Sequence, residues 1–170
     1  MLVICNKDIL LLIILIIYFY PIYVIKCQFN NNDCISNIIK NKNIKNKIFI
    51  SMLMMGIFVL LYEYLRYDKY SFILVLLLLI NIYGLILFDE ANFLHNIFAV
   101  ITFIIILLFM FYHFINKKRI LCLYSLFILQ LLLFLFCCII FYKKKFNYVI
   151  YFQVSLLLNF AVYYVLLHFL

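Results

Sequence analysis

Six long apolar runs, separated by short polar or charged stretches, form most of the chain. A helix needs about 20 mostly apolar residues to cross the hydrocarbon core of a bilayer. Barrel strands alternate polar and apolar residues, whereas these runs are apolar on every side, and helices satisfy their own backbone in lipid. We therefore expect an all-α polytopic membrane protein, a six-transmembrane-helix bundle that makes residues 1–170 a single transmembrane domain. The predicted helices cover residues 9–25, 48–65, 70–88, 91–115, 120–142 and 146–169, with a polar loop over 26–47.

The composition agrees with this pattern, because 71% of the 170 residues are hydrophobic and 12% are charged. Soluble domains are about half apolar and about a quarter charged, and one soluble core of this size cannot hide so much apolar surface. The net charge of +8 lies in the short loops, where basic residues act as orientation signals and contact anionic headgroups. We expect membrane lipids as partners, membrane proteins as further candidate partners, and no nucleic acid.

The basic residues do not determine the orientation of the chain. Six helices put both termini on one side of the membrane. Six basic residues would share that side (Lys7, Arg66, Lys69, Lys117, Lys118 and Arg119) and eight would lie on the other (Lys26, Lys40, Lys42, Lys45, Lys47, Lys143, Lys144 and Lys145). Because the positive-inside rule depends on a clear excess, six against eight leaves both orientations open.

A polar cluster marks the junction of the third and fourth runs. Asp89, Asn92, His95 and Asn96 follow the spacing of one helical face, and a carboxylate can orient a histidine. One interpretation is a polar pocket at the membrane surface that binds a lipid headgroup or relays protons. The other is an ordinary interfacial helix start, with acids near the positive end of the helix dipole.

The remaining polar residues do not predict catalysis. The chain has no HExxH or HxxxH pattern, and its serines lack the neighbouring base that nucleophilic catalysis needs. We therefore expect no catalytic residue, no metal site and no cofactor. Glu63 lies one turn before Arg66, so it pairs with that arginine or reaches the surface. Cys27 and Cys34 share the first loop and form a candidate disulfide if that loop is lumenal.

Several short segments follow a recognisable order along the chain: Ile35-Ser36 in the first loop, Lys47-Ile48-Phe49 and Leu65-Arg66-Tyr67 at the two ends of the second run, His95–Ala99 in the fourth, and Gln153 in the last. With these segments the chain resembles the Frag/DRAM/Sfk family of six-helix membrane proteins. The resemblance implies a DRAM-like protein of the endomembrane (ER, Golgi or lysosome) or plasma membrane, with cytosolic termini and no known catalytic chemistry. It also implies roles such as autophagy modulation or GPI-lipid remodelling, and a site in the loop at Ile35 and Ser36.

Together these observations predict a non-enzymatic multi-pass membrane protein that organises or binds lipids or partner proteins. One alternative is a lipid-facing structural subunit of a larger membrane complex. Another is an intramembrane enzyme or a small channel, although the runs show no catalytic set and no continuous polar stripe.

Overall fold

The computed structural model describes residues 2–28, 35–39, 41–88, 92–117, 120–142 and 149–170, and every element within those ranges is a helix. The helices are α1 (Leu2–Cys27), α2 (Ile35–Ile39), α3 (Lys42–Arg66), α4 (Lys69–Leu87), α5 (Phe93–Asn116), α6 (Leu121–Tyr142) and α7 (Val149–Phe169). All of them except the short α2 are long and apolar enough to cross a membrane. The predicted all-α fold with six spanning helices is confirmed, and the chain is a multi-pass integral membrane protein.

The loop between the first two spans is more helical than its Asn-rich composition suggests. Residues 35–39 form α2, and the side chain of Ile38 is buried. Helix α3 begins at Lys42 rather than Ile48, because the Asn41 side chain accepts a hydrogen bond from the Asn43 N–H and caps the helix. The apolar run locates the part of α3 inside lipid, whereas its cap determines where the helix begins.

The chain divides into two compact units. The first contains Met1–Phe29 and Ser36–Thr102, with α1 packed along α3 and α3 packed on α4. The second contains Asn30–Ile35 and Phe103–Leu170, with α6 packed on α7. Helix α5 contributes residues to both units.

Glycine allows close helix packing in the first unit, although the chain has only two glycines and no GxxxG pattern. A Cβ added at Gly56 would meet the hydroxyl of Tyr83, which donates a hydrogen bond to the Met52 carbonyl at 3.2 Å. A Cβ added at Gly84 would lie 2.7 Å from three ring atoms of Phe98. Each glycine therefore makes room for an aromatic side chain of the next spanning helix.

Buried polar side chains link the helices of the second unit. The Asn159 amide on α7 donates to the Gln130 side chain at 2.6 Å and to the Leu126 carbonyl at 3.0 Å, and both acceptors are on α6. The Tyr163 hydroxyl donates to the Met110 carbonyl on α5 at 2.8 Å. Interhelical bonding by Gln130 and Asn159 follows the expectation for polar groups within lipid.

Candidate functional site

The predicted polar face at the junction of α4 and α5 begins with a helix cap. The Asn92 side chain accepts from the Leu94 N–H at 3.0 Å, and the Asn92 carbonyl accepts from the His95 N–H at 3.0 Å. These bonds start α5 at Phe93 instead of Ala91, because an Asn in this position satisfies amides that the first helical turn leaves without partners. Asn92 and Asn96 are exposed and His95 is half-buried, while Asp89 lies outside the described residues.

His95 binds the backbone at the end of α4. Its Nδ1 lies 2.9 Å from the Phe88 carbonyl oxygen. A carbonyl can only accept, so Nδ1 carries the proton in this bond. The Phe88 N–H in turn donates to Gly84, and the Phe88 ring stacks on that of Phe98 at 5.6 Å. The last carbonyls of a helix have no partner within it, so His95 satisfies one of them at the C-terminus of α4.

Lys45, near the N-terminus of α3, satisfies a second carbonyl of α4. Its Nζ donates to the Leu87 oxygen at 3.0 Å. The bond joins two elements 42 residues apart in sequence and brings the lysine-rich start of α3 to the end of α4. Lys45 was not predicted as a site residue. The sequence feature that could have indicated it is a cluster of lysines at the start of a helix whose first turn contains no acidic residue.

We call this region the basic junction and define it as Lys42, Lys45, Lys47, Phe88, Asn92, His95 and Asn96. Its described residues include cations and no acid, and Lys42 and Lys47 are exposed. Helix α3 has 25 residues and is about 37 Å long, whereas the hydrocarbon core is about 30 Å thick. The surplus lies at the polar start of α3, so these lysines are at the level of the lipid headgroups.

A second polar group lies at the opposite end of α4, and we call it the Glu63 clasp (Glu63, Arg66, Asp68 and Ser71). Glu63 is 0% exposed; one carboxylate oxygen accepts from Arg66 at 3.1 Å and the other from the Ser71 hydroxyl at 2.5 Å. Asp68 accepts from the N–H groups of Tyr70 and Ser71, each at 3.1 Å, and caps α4. The predicted pairing of Glu63 with Arg66 is confirmed.

The first loop contains the other predicted site residues. Ile35 is half-buried, and its N–H lies 3.5 Å from the Gln153 side-chain oxygen. Ser36 lies within α2, but its side chain is outside the described part of the chain. The Cys27 side chain is exposed at the end of α1, and the candidate disulfide lies outside the described residues because Cys34 does.

Within the described ranges no three His, Cys, Asp or Glu side chains are grouped so that they could hold a metal ion. The chain matches no protein-family model, no curated protein and no solved structure. Its function must therefore be inferred from its own residues and their geometry.

Proposed function

We propose that this chain is a non-enzymatic multi-pass membrane protein that binds anionic lipid headgroups at the basic junction. The observation that carries the proposal is the bond from Lys45 to the Leu87 carbonyl, because it fixes the lysine-rich start of α3 at the end of α4, where His95 of α5 also binds. Lys45 and His95 hold the starts of α3 and α5 at the end of α4 by hydrogen bonding to its backbone carbonyls. Lys42 and Lys47 are exposed in the first two turns of α3 and are the groups that contact phosphate.

Electrostatics favours this ligand class. A lysine near an anionic membrane surface contributes about 1 kcal/mol to binding. The N-terminal ends of α3 and α5 add the positive ends of two helix dipoles, while Lys45 and His95 offset the negative end of α4. The described part of the basic junction therefore favours an anion at the depth of the headgroups.

The proposal leads to a specific orientation. Anionic lipids are concentrated in the cytosolic leaflet, so binding there would place the start of α3 in the cytosol and both termini on the other side. The resemblance to the Frag/DRAM/Sfk family implies cytosolic termini instead. Glycosylation tags in the loop over residues 26–47 separate the two predictions, since only a lumenal loop is modified. Residence in an endomembrane or the plasma membrane stays a prediction from the resemblance.

The test is the retention of lipid by the purified full-length protein, measured by native mass spectrometry in equimolar phosphatidylserine and phosphatidylcholine with identical acyl chains. The double variant Lys42→Gln/Lys47→Gln should lose phosphatidylserine affinity about tenfold, since each lysine contributes about 1 kcal/mol at most. Added salt should weaken binding to the wild type more than to the variant.

The matched control is Lys7→Gln/Lys117→Gln, which removes the same charge away from the junction; Lys7 lies near the start of α1, and Lys117 follows the end of α5. We expect this control to retain phosphatidylserine like the wild type. An equal loss in both double variants would show that affinity depends on net charge alone. No loss in either variant would show that the basic junction is not the binding site.

A further inference from the structure

Three exposed tyrosines surround the turn between α3 and α4. The exposed fractions of these residues are 66% for Tyr64, 82% for Tyr67 and 68% for Tyr70. The ring centroids of Tyr64 and Tyr67 are 6.5 Å apart. Because the turn joins two spanning helices, these rings lie at the membrane surface at the opposite end of α4 from the basic junction.

Tyr67 has a backbone conformation that disfavours its own side chain. Its φ of 59° and ψ of 23° are in the left-handed region, and its N–H donates to the Tyr64 carbonyl as the C-cap of α3. Glycine adopts this conformation without steric cost, which is why it is common at such caps. Tyr67 is the one non-glycine residue with positive φ in the described part of the chain, and it is also the most exposed of the three tyrosines.

The charged groups at this turn differ in whether they are bonded within the protein or exposed. Glu63 is buried against Arg66 and Ser71, and Asp68 accepts two backbone N–H groups. Lys69 is exposed. The turn therefore presents aromatic faces, which attract weakly hydrated cations, together with one ammonium group that attracts phosphate.

We propose that the turn between α3 and α4 binds the phosphocholine headgroup of a membrane lipid. The trimethylammonium group lies against the rings of Tyr64 and Tyr67, and the phosphate pairs with Lys69. A quaternary ammonium has no N–H to donate, so aromatic faces suit it better than a carboxylate does. A primary ammonium requires hydrogen-bond acceptors, and the carboxylates of Glu63 and Asp68 already accept bonds from the protein. This site is separate from the basic junction and takes a zwitterionic lipid.

The test measures which lipids the purified full-length protein retains from equimolar phosphatidylcholine and phosphatidylethanolamine with identical acyl chains, by native mass spectrometry. The wild type should prefer phosphatidylcholine about threefold, as expected from exposed cation–π contacts. Tyr64→Leu/Tyr67→Leu keeps apolar side chains but should abolish the preference. Absence of a preference in the wild type, or its persistence in the double variant, would overturn the proposal.

Two further variants separate binding from structure. Tyr67→Gly relieves the left-handed backbone, so it should unfold at the same or a higher temperature and still lose most of the phosphatidylcholine preference. Tyr20→Leu/Tyr23→Leu removes two other exposed tyrosines, near the C-terminal end of α1, and should retain the full preference. If Tyr67→Gly retains the preference, or the α1 variant loses it equally, the tyrosines of the turn are ordinary interfacial aromatics and the proposal is wrong.

Discussion

The two ends of α4 meet the membrane surface in opposite ways. At its start, the Glu63 clasp pairs a carboxylate with a guanidinium and a hydroxyl, and Glu63 is fully buried. At its end, Lys45 and His95 bind backbone carbonyls that carry no net charge. The buried carboxylate of the clasp is paired with a guanidinium, whereas the basic junction presents exposed lysines.

The difference shows which polar group in a spanning helix is a better candidate for ligand binding. An ionisable residue within the membrane is a functional candidate by default, and Glu63 would rank first by that criterion. Its two oxygens, however, already accept bonds from Arg66 and Ser71, so its role is to join α3 to α4. The basic junction is less buried but still has exposed cations, and it is the better candidate.

Removal of the clasp carboxylate should have the largest effect on stability. Glu63→Ala leaves Arg66 and Ser71 without their shared acceptor, and breaking a buried ion pair costs about 3 kcal/mol or more. Lys45→Ala, the matched change at the other end of α4, should cost about 1 kcal/mol because water in the headgroup layer can solvate the Leu87 carbonyl. Unfolding in mixed micelles with increasing SDS measures both free energies. Equal losses would contradict the contrast between the two ends.

The next largest effect should follow from filling the space beside the Phe98 ring. A Cβ at Gly84 would be 2.7 Å from three atoms of that ring, so Gly84→Ala should destabilise the fold by about 2 kcal/mol. Gly56→Ala should cost less, because the nearest group is the hydroxyl at the mobile end of Tyr83. SDS unfolding of both variants gives the comparison, and Gly84→Ala/Phe98→Leu should recover part of the loss. A larger loss at Gly56 would contradict this packing.

Removal of the capping side chains at the starts of α4 and α3 should change the free energy of unfolding by smaller amounts. Asp68 accepts two backbone N–H groups at the start of α4, whereas Asn41 accepts one at the start of α3. Asp68→Ala should therefore cost about 1.5 kcal/mol and Asn41→Ala about 0.5 kcal/mol. Hydrogen exchange of the first-turn amides, measured by mass spectrometry, should show faster exchange at the affected helix only. Faster exchange in both helices would indicate that the two ends are coupled.

The smallest effect should follow from loss of the hydrogen bond between His95 of α5 and the Phe88 carbonyl at the end of α4. His95→Asn can still donate from its amide to the Phe88 carbonyl, whereas His95→Leu cannot, so the Leu variant should be about 0.5 kcal/mol less stable than the Asn variant. SDS unfolding measures the difference. If the two variants have the same stability, the imidazole–carbonyl bond does not contribute to the junction.

The lengths of the apolar runs determine most of the fold. Lipid exposure requires continuous apolar sequence and internal hydrogen bonding, so the number and type of the spanning helices follow from the pattern alone. Helix ends depend instead on single capping side chains, which is why α3 starts at Lys42 and α5 at Phe93. The helical segment over 35–39 was hidden by the Asn-rich sequence around it.

The candidate site was only partly predictable. Helical spacing brought Asn92, His95 and Asn96 together, and the structure assigns Asn92 to a cap and His95 to a carbonyl of α4. Lys45 lies 42 residues from its acceptor, a distance over which neither periodicity nor motif carries information. The pairing of Glu63 with Arg66 was predictable because it is local, whereas the contribution of Ser71 depends on the turn that reverses the chain.

The Glu63 clasp also has a consequence for biogenesis. Glu63 and Ser71 are eight residues apart in sequence, and Arg66 lies between them. The carboxylate can therefore be neutralised within the α3–α4 hairpin alone, before the ribosome has synthesised α6 and α7. Transfer of an unpaired carboxylate from the translocon to lipid would be costly. The acid, the base and the hydroxyl are close together in sequence, so the ribosome synthesises them in quick succession. The α3–α4 hairpin can therefore leave the translocon as one unit in which the buried charge is already paired.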